Sequence, residues 1–584
     1  MKKKLVSLLL TAAMVVSVCA CGNKPASTTE TQNKESSVIK ETEASAPVEE
    51  KTYFNATGRR ICDETITITM TGRQGATKDW QNVFQIQEIE KQFGIHIECQ
   101  PVANDAWQTQ RTLMFADDTL PDLIVNSQLS INDANKYGAE GYLLPINEYL
   151  EYMPNLSAMM EKYPEFAKAM TAPDGNIYGL PGLTNVENTA GRLNRFYINT
   201  TWLERVGKEV PETLDELYDV LVAFKEQDAN GNGDPNDEIP LLYNNEMYFY
   251  AQEALLGVFG IYSKEYEFIL QEDEQGKLYL ANMSDAYKEY LTYMNKLYNE
   301  ELIDKECFLL TSEDVESKAS EDKYGVMGVA GSPSTASGHD SVYDYEWASI
   351  AALTLNKGDA KKIADKCAVS RTVGQVISAN TEYPEAICRL LDYFYTDEGT
   401  LSSTQGFEGS GISFVELPFA PGNKVANLNY NAADGKYKNS GEFRQQASII
   451  QGAFITLTDT WAKPEGFVMG CDDATFDMLL AMEPEELSSC SIGGWLLRNA
   501  EMIRKGGLEW VDAIPPILWN EDESIEGSTL QTDIENYLMA TKAQFITGEV
   551  DVEAGWDNYI KTLKSMGVER LLELYNEAYA RVYK

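Results

Sequence analysis

Between residues 228 and 238 the chain reads Asp228-Ala-Asn230-Gly-Asn232-Gly-Asp234-Pro-Asn236-Asp237-Glu238. Oxygen-bearing side chains at alternate positions, with glycines between them, let the backbone curl round a hard cation and aim successive oxygens inward. Calcium takes about six to eight such oxygens in adaptable geometry, and an EF-hand loop supplies them from alternate positions and a late carboxylate at the twelfth. Counted from Asp228 the twelfth residue is Ile239, so Asp237 and Glu238 have to close the shell, with Asn236 a further candidate. The predicted ligands are Asp228, Asn230, Asn232, Asp234, Asp237 and Glu238, and the predicted role of the Ca²⁺ is structural. Magnesium fits less well because it demands stricter octahedral geometry. A metal-free Gly/Asn/Asp turn is the competing reading. Calcium is preferred because carboxylates gathered in one turn repel each other unless a cation neutralises them.

Other chemistry has less to stand on. There are two histidines, His96 and His339, and no H-E-x-x-H, G-x-S-x-G or phosphate loop. Carboxylates are so many that a suitably spaced pair is always available, so glycoside hydrolysis stays open on composition. Beyond Cys21 the cysteines are Cys62, Cys99, Cys307, Cys367, Cys388, Cys471 and Cys490. That odd number without a CxxC pair, in so long a chain, is not a disulfide scaffold, and most should be small buried apolar residues. A formal charge of −43 would repel phosphates, which argues against nucleic acid as a partner.

The chain starts with Lys2, Lys3 and Lys4, followed by an apolar run from Leu5 to Val18 that is too short for a mature membrane span. Val18-Cys19-Ala20-Cys21 resembles the lipobox of bacterial lipoproteins, which implies cleavage after residue 20, acylation of Cys21 and attachment to the lipid bilayer. An ordinary cleaved signal peptide is the alternative. Residues 21–59 are expected to be a disordered tether. Their first stretch is rich in Ser, Thr, Glu and Lys, lacks aromatics and cannot bury enough apolar surface to order itself. The Ser37-x-x-Lys40 pair lies inside it and is discounted.

The elements that must position any site begin near Asp63. Ile66, Ile68 and Met70 alternate with threonines, predicting a strand, while Val83, Ile86, Ile89 and Phe93 recur at helical spacing. Ile95–Cys99 alternates again, Trp107–Phe115 reads as a helix and Leu123-Ile-Val125 as a short buried strand. Strand, helix, strand, helix, strand predicts a parallel α/β sheet with right-handed crossovers. Ligands of such sheets sit beyond the carboxyl ends of the strands, here after Met70, Cys99 and Val125. Thr213 and Glu216 form an expected capping box for a later helix.

Several motifs then follow in a telling order: Pro121-Asp122-Leu-Ile-Val-Asn126, Gly141-Tyr-Leu-Leu-Pro-Ile-Asn-Glu-Tyr-Leu150, Asp174-Gly-Asn-Ile-Tyr-Gly-Leu-Pro181 and Tyr197-Ile-Asn-Thr-Thr-Trp-Leu-Glu-Arg-Val-Gly207. Val210–Leu217, Tyr383-Pro-Glu-Ala386, Leu391–Gly399, Gly406-Phe-Glu-Gly409 and the closing Phe545-Ile-Thr-Gly548 to Tyr575 continue it. In this order they resemble the extracellular solute-binding proteins of sugar ABC importers, and the end resembles the large lipoprotein branch with LplA-like oligosaccharide binders. The resemblance implies a two-lobed α/β periplasmic-binding-protein-like fold that closes on its ligand. The expected lobes are residues 60–185 with 370–430, and 186–369 with 431–584. Related proteins carry a calcium loop after the capped helix, though the spacing here is one residue shorter, which leaves Asn236, Asp237 and Glu238 unresolved as closing ligands.

On that resemblance the ligand is a neutral oligosaccharide, held by aromatic platforms and polar rims. The candidates are Trp80 and Trp107 after first-lobe strands, Asn126 at a strand end, Tyr248 and Tyr250 beyond the calcium loop, and Trp347 and Trp461 in polar contexts. Trp202, Trp495, Trp510 and Trp556 lie in helical-looking runs and read as core. The loop Gly331–Gly338 is polar enough to touch ligand but reads first as a loop. The implied protein is a monomeric, lipid-anchored binder that hands its ligand to ABC permease subunits and is not an enzyme. A surface glycosidase, an adhesin that holds glycan without transport, and a peptide-binding member of the same fold are the alternatives.

Overall fold

The computed structural model describes residues 53–584 apart from 76, 78, 185–195, 245–249, 264–266, 330–332, 340–342, 344–345, 351, 365–368, 410, 418–419, 429–439, 448, 450–456 and 459–507. Cys21, the tether up to residue 52, Tyr248, Trp461 and Trp495 therefore lie outside the described residues.

In β1 (Ile66–Arg73) the alternation sends Ile66, Ile68 and Met70 to a buried face. α1 (Phe84–Phe93) buries Ile86, Ile89 and Phe93 and stops at Gly94, whose φ of 76° is the left-handed cap glycine favours. β2 (Ile95–Val102) runs parallel to β1, from Ile66↔Ile95 to Arg73↔Val102. After α2 (Trp107–Ala116), β3 (Leu123–Val125) lies parallel to β1 on its other side. The strand–helix repeat thus folds as its periodicity predicts.

β4 (Leu129–Ser130), α3 (Ile131–Ala139) and β5 (Leu180–Thr184) follow, and the chain then builds a second sheet. Its strands are β6 (Phe196–Asn199), β7 (Ile239–Leu241), β8 (Tyr324–Gly328) and β9 (Trp347–Ser349), in the order β9-β6-β8-β7. Between them run α4 (Thr200–Val206), α5 (Leu214–Glu226) and α6 (Asp285–Asn299). β10 (Val369–Ile377) returns to the first sheet and pairs antiparallel with β3, β4 and β5. β11 (Leu457–Thr458) adds to β5. The first sheet is therefore mixed. β1–β3 have the expected parallel form and β11 runs parallel to β5, whereas β10 is antiparallel to its neighbours because it arrives from the second sheet and not through a crossover helix. β11 also carries the chain's contribution to the first sheet beyond residue 430.

Each sheet is packed on both faces. Ile68, Met70, Ile95, Leu123 and Val125 share one core with Trp80 and Phe93, while Ile124, Val373 and Val376 meet Trp107 and Phe115 in another. In the second sheet Phe196 and Ile198 join Trp202, Leu217 and Phe224, and Tyr197 and Met327 join Trp347 on the opposite face. The long C-terminal helices α7 (Glu521–Thr547), α8 (Val552–Ser565) and α9 (Val568–Tyr583) bury Trp556, Tyr559 and Tyr575 in the former core. Trp202 and Trp556 are thus core, as read from sequence. Trp510 is not helical: it sits in the strand Glu509–Val511, paired with Lys362–Ala364. Pro333–Ser337 forms a short helix where a loop was expected. Thr213 does cap α5, but the Glu216 carboxylate accepts the Glu212 N–H at 3.0 Å instead of closing the box on Thr213. Cys62, Cys307 and Cys388 are buried free thiols and Cys99 is half-buried.

Residues 514–519 tie the first sheet to the C-terminal helices. Arg371 donates to Ile514 O at 2.8 Å; Asn132 donates to Ile517 O and accepts from Trp519 N, both at 3.0 Å. From the other side Arg581 donates to Leu518 O and Tyr583 to Pro516 O. Asn520 then caps α7 in a reciprocal capping box with Glu523. Burial pushes the Glu523 carboxyl up, but the Arg581 guanidinium, 2.6 Å and 2.7 Å from its two oxygens, and the Asn520 N–H more than offset this and hold it below the ordinary value. A folded pKa below the unfolded one stabilises fully above the ordinary glutamate range and loses that contribution as pH falls through the folded value. Glu523→Gln is expected to flatten the loss of stability between about pH 6 and pH 3. Denaturant melts across that range would contradict the pairing if the two slopes coincide.

Candidate functional site

The carboxyl ends of β1 and β3 meet at a tight turn. Asn126 and Gln128 both hold positive φ, 46° and 54°, a conformation Asn tolerates better than most residues. The Asn126 amide donates to Arg73 O at 3.0 Å and its oxygen accepts from Gln128 Nε2 at 2.8 Å. Between them Ser127 donates to Val373 O, while its own carbonyl accepts from Trp107 Nε1 at 3.0 Å and Arg111 Nη1 at 2.8 Å. Gly72 is required here: a Cβ would lie 2.1 Å from Val125 O and 3.0 Å from the Trp80 ring.

Three of the residues singled out from sequence, Trp80, Trp107 and Asn126, are thus brought to one end of the first sheet. Their roles differ from the expectation. Trp80 and Trp107 are 1% and 3% exposed, and their indole N–H groups donate to Thr77 O and Ser127 O. They buttress the turn from beneath and offer no open platform. Trp347 is buried in the second sheet beside Tyr343, away from this turn. Tyr250 opens the helix Tyr250–Val258.

Sequence reasoning missed two guanidinium groups. Arg73 ends β1 half-buried; its Nε has no hydrogen-bond partner among the described residues, and burial lowers its pKa. Arg111, on α2, is likewise lowered by burial while Asp133 and Tyr137 pull the other way. Desolvated donors beside a strained turn at the strand ends suit an oxygen-rich ligand. The signal available was Gly72-Arg73, the place where alternation in β1 ends.

A cavity of about 340 Å³ opens where Ser130 and Arg371 of the first sheet and Asn132 of α3 face Pro516, Trp519 and Tyr575. Its walls come from four distant stretches of sequence, so no local pattern could announce it.

The acidic loop lies between α5 and β7. Gly233 holds φ at 95°, which the sixth position of a cation loop needs for its sharp turn. Asp228 accepts from Gly233 N at 3.0 Å, and Asn230 and Asn232 accept from Asn232 N and Asp234 N. Arg205, on α4, pins the loop from below through Ala229 O and Asn230 O, packed under Gly231. Both Asp237 oxygens are held by the amides of Asn230 and Asn232. By contrast Asp228 Oδ1 and Glu238 Oε2 are buried without a hydrogen-bond partner, and burial raises the Glu238 pKa, opposed by backbone N–H groups. Orphaned buried carboxylate oxygens at the first and late positions fit a hard cation. Among the described residues no three His, Cys, Asp or Glu side chains already converge as a metal cage.

The sequence profile of the bacterial extracellular solute-binding proteins matches residues 75–401. The chain belongs to that family. The fructooligosaccharide ABC transporter substrate-binding protein FusA of Streptococcus pneumoniae is 25% identical over 98% of this chain and 97% of its own. Lipoprotein LipO of Bacillus subtilis is 28% identical over 42% of this chain and 46% of its own. Among solved structures, an EF-hand mutant of S. pneumoniae FusA in complex with fructo-nystose superposes with a TM-score of 0.69 at 22% identity, covering 88% of this chain and 99% of that one. The fold is accordingly the two-lobed α/β fold of solute-binding proteins.

Proposed function

We propose that this solute-binding protein captures a neutral oligosaccharide between its lobes and delivers it unchanged to the permease of an ABC importer. The observation that carries the reading is the alignment, along nearly its whole length, with a fructooligosaccharide-binding relative. The lobes are residues 60–185 with 370–430 and 186–369 with 431–584, adjusted for β11, which pairs with the first sheet. Closure is a population shift driven by contacts that one ligand makes with both lobes. Asn126, Gln128, Arg73 and Arg111 offer polar contacts from the first lobe; Tyr248, Tyr250 and Trp461 are candidate platforms. Acylation of Cys21 holds the protein as a monomer at the outer face of the cell membrane.

The loop at 228–238 binds calcium as a structural ion, with Asp228, Asn230, Asn232 and Asp234 as early ligands. Glu238 is the late carboxylate, because its buried oxygen lacks a partner while Asp237 is held by two amides. Bound there, the ion supplies positive charge that lets the buried carboxylates stay ionised.

A thermal-shift screen over neutral oligosaccharides tests the reading: at least one raises the melting temperature, and the sugar is recovered intact. Arg73→Ala is expected to weaken that sugar about tenfold or more, the scale of a lost charge-assisted hydrogen bond. A peptide that stabilises the protein where every glycan fails would sink the proposal.

A further inference from the structure

The turn at Asn126–Gln128 ends in a side chain whose orientation is dictated step by step. A backbone carbonyl can only accept, so the Asn126 group that faces Arg73 O, 3.0 Å away, has to be the amide nitrogen Nδ2. That turns Asn126 Oδ1 to the other side, where it too can only accept. Gln128 therefore meets it with Nε2, at 2.8 Å, and Oε1 is left as the free end of the amide. Among the described residues Oε1 accepts from no group. Asn126 is 6% exposed whereas Gln128 lies at the surface, so Gln128 is the member of this relay that a ligand can reach.

The relay is not the chance state of a loose loop. Gln128 sits at φ 54°, a conformation that disfavours any residue with a Cβ. The chain on either side is fastened: Ser127 N donates to Gly374 O at 3.1 Å, Ser127 Oγ to Val373 O, and Leu129 N to Ser127 Oγ at 3.2 Å. These bonds hold Gln128 in a backbone state that it would not adopt alone.

Arg111 supplies the opposite polarity beside the preceding residue. Its Nη1 is taken up by Ser127 O at 2.8 Å, and its other guanidinium nitrogens donate to nothing among the described residues. A guanidinium can only donate, and the Gln128 oxygen can only accept. A carboxylate would satisfy the first and not the second, whereas a hydroxyl, which donates and accepts, satisfies either. We infer that Gln128 is a specificity-determining residue that demands a hydroxyl of the ligand at this turn, so that a neutral sugar unit is accepted there and a uronate refused. The inference rests on the proposed capture of an oligosaccharide at these strand ends and names what that site selects.

Isothermal titration of the intact chain with maltotriose, cellotriose, raffinose and xylotriose, and with trigalacturonate as the acidic arm, tests it. At least one neutral trisaccharide should bind the parent about tenfold or more tighter than trigalacturonate. In Gln128→Met, which keeps the length but has no oxygen, that sugar should weaken about fivefold while trigalacturonate is unchanged, so the gap narrows. Gln128→Gly, whose backbone suits the left-handed φ, should narrow it as much and carries the test if the Met variant folds poorly. A neutral sugar bound as tightly by both variants as by the parent, or both classes of sugar weakening in step, would overturn the role of Gln128 and leave the capture of an oligosaccharide standing. Parent protein that binds none of the four neutral sugars, or binds trigalacturonate more tightly than all of them, would overturn this inference and the neutral ligand together.

Discussion

Glu267→Gln is expected to destabilise the protein by about 3–5 kcal/mol, the scale of breaking a buried ion pair from one side. Lys542 projects from α7 with a side chain 0% exposed, and its Nζ lies 2.8 Å from Glu267 and 3.3 Å from Gln252 Oε1. Burial lowers the Lys542 pKa, and Glu267 only partly offsets it. Removing the negative charge leaves an ammonium in the core facing only neutral acceptors, Gln252 Oε1 and the amide oxygen introduced at position 267. The sign of the pH effect follows. A lysine whose folded pKa lies below its unfolded one binds fewer protons folded than unfolded through the window between them, so stability rises with pH there. The penalty in Glu267→Gln should therefore shrink as pH is raised from neutrality, whereas Lys542→Met, which removes the charge itself, should cost much less. Denaturant midpoints at neutral and alkaline pH measure both. Equal penalties for the two variants would show that the pair carries no such charge burden.

Chelation of calcium should have the other large effect. If the loop at 228–238 binds the ion in the folded state only, free calcium at 100 times its dissociation constant stabilises by about 2.7 kcal/mol. Stripping it should lower the melting temperature of the second lobe by about 5 °C or more. The buried, partnerless oxygens of Asp228 and Glu238 carry this expectation. Asp228→Ala and Glu238→Gln should each abolish the response to added calcium, while Asp237→Asn, whose oxygens already have amide partners, should retain much of it. A melting curve indifferent to chelator would remove the ion from the account.

What could be read from sequence divides along the range of the interactions involved. β1, α1, β2 and β3 were legible because each is local, and period-two or helical spacing of Ile66, Ile68, Ile86, Ile89 and Leu123 states which face is buried. The cation loop was legible for the same reason, its oxygens lying within eleven consecutive residues. β10 was not, since its antiparallel partners in β3 and β5 lie some 190 to 250 residues earlier and no local pattern encodes that pairing. The tryptophans show the same limit. Position at a strand end suggested open platforms for Trp80 and Trp107, but which way an indole turns depends on what waits beneath it, and Gly72 and Ser127 O drew both inward. Arg73 and the connector at 514–519 gain their meaning from neighbours that only folding brings together.

The proposed function rests on a reversible grip between two moving lobes. Small-angle scattering of the protein with and without an oligosaccharide that raises its melting temperature, followed by mass analysis of the recovered sugar, addresses it most directly. A smaller radius of gyration is expected in the bound state, with the sugar returned with every linkage intact. An unchanged scattering profile at saturation, or new reducing ends in the recovered material, would contradict it.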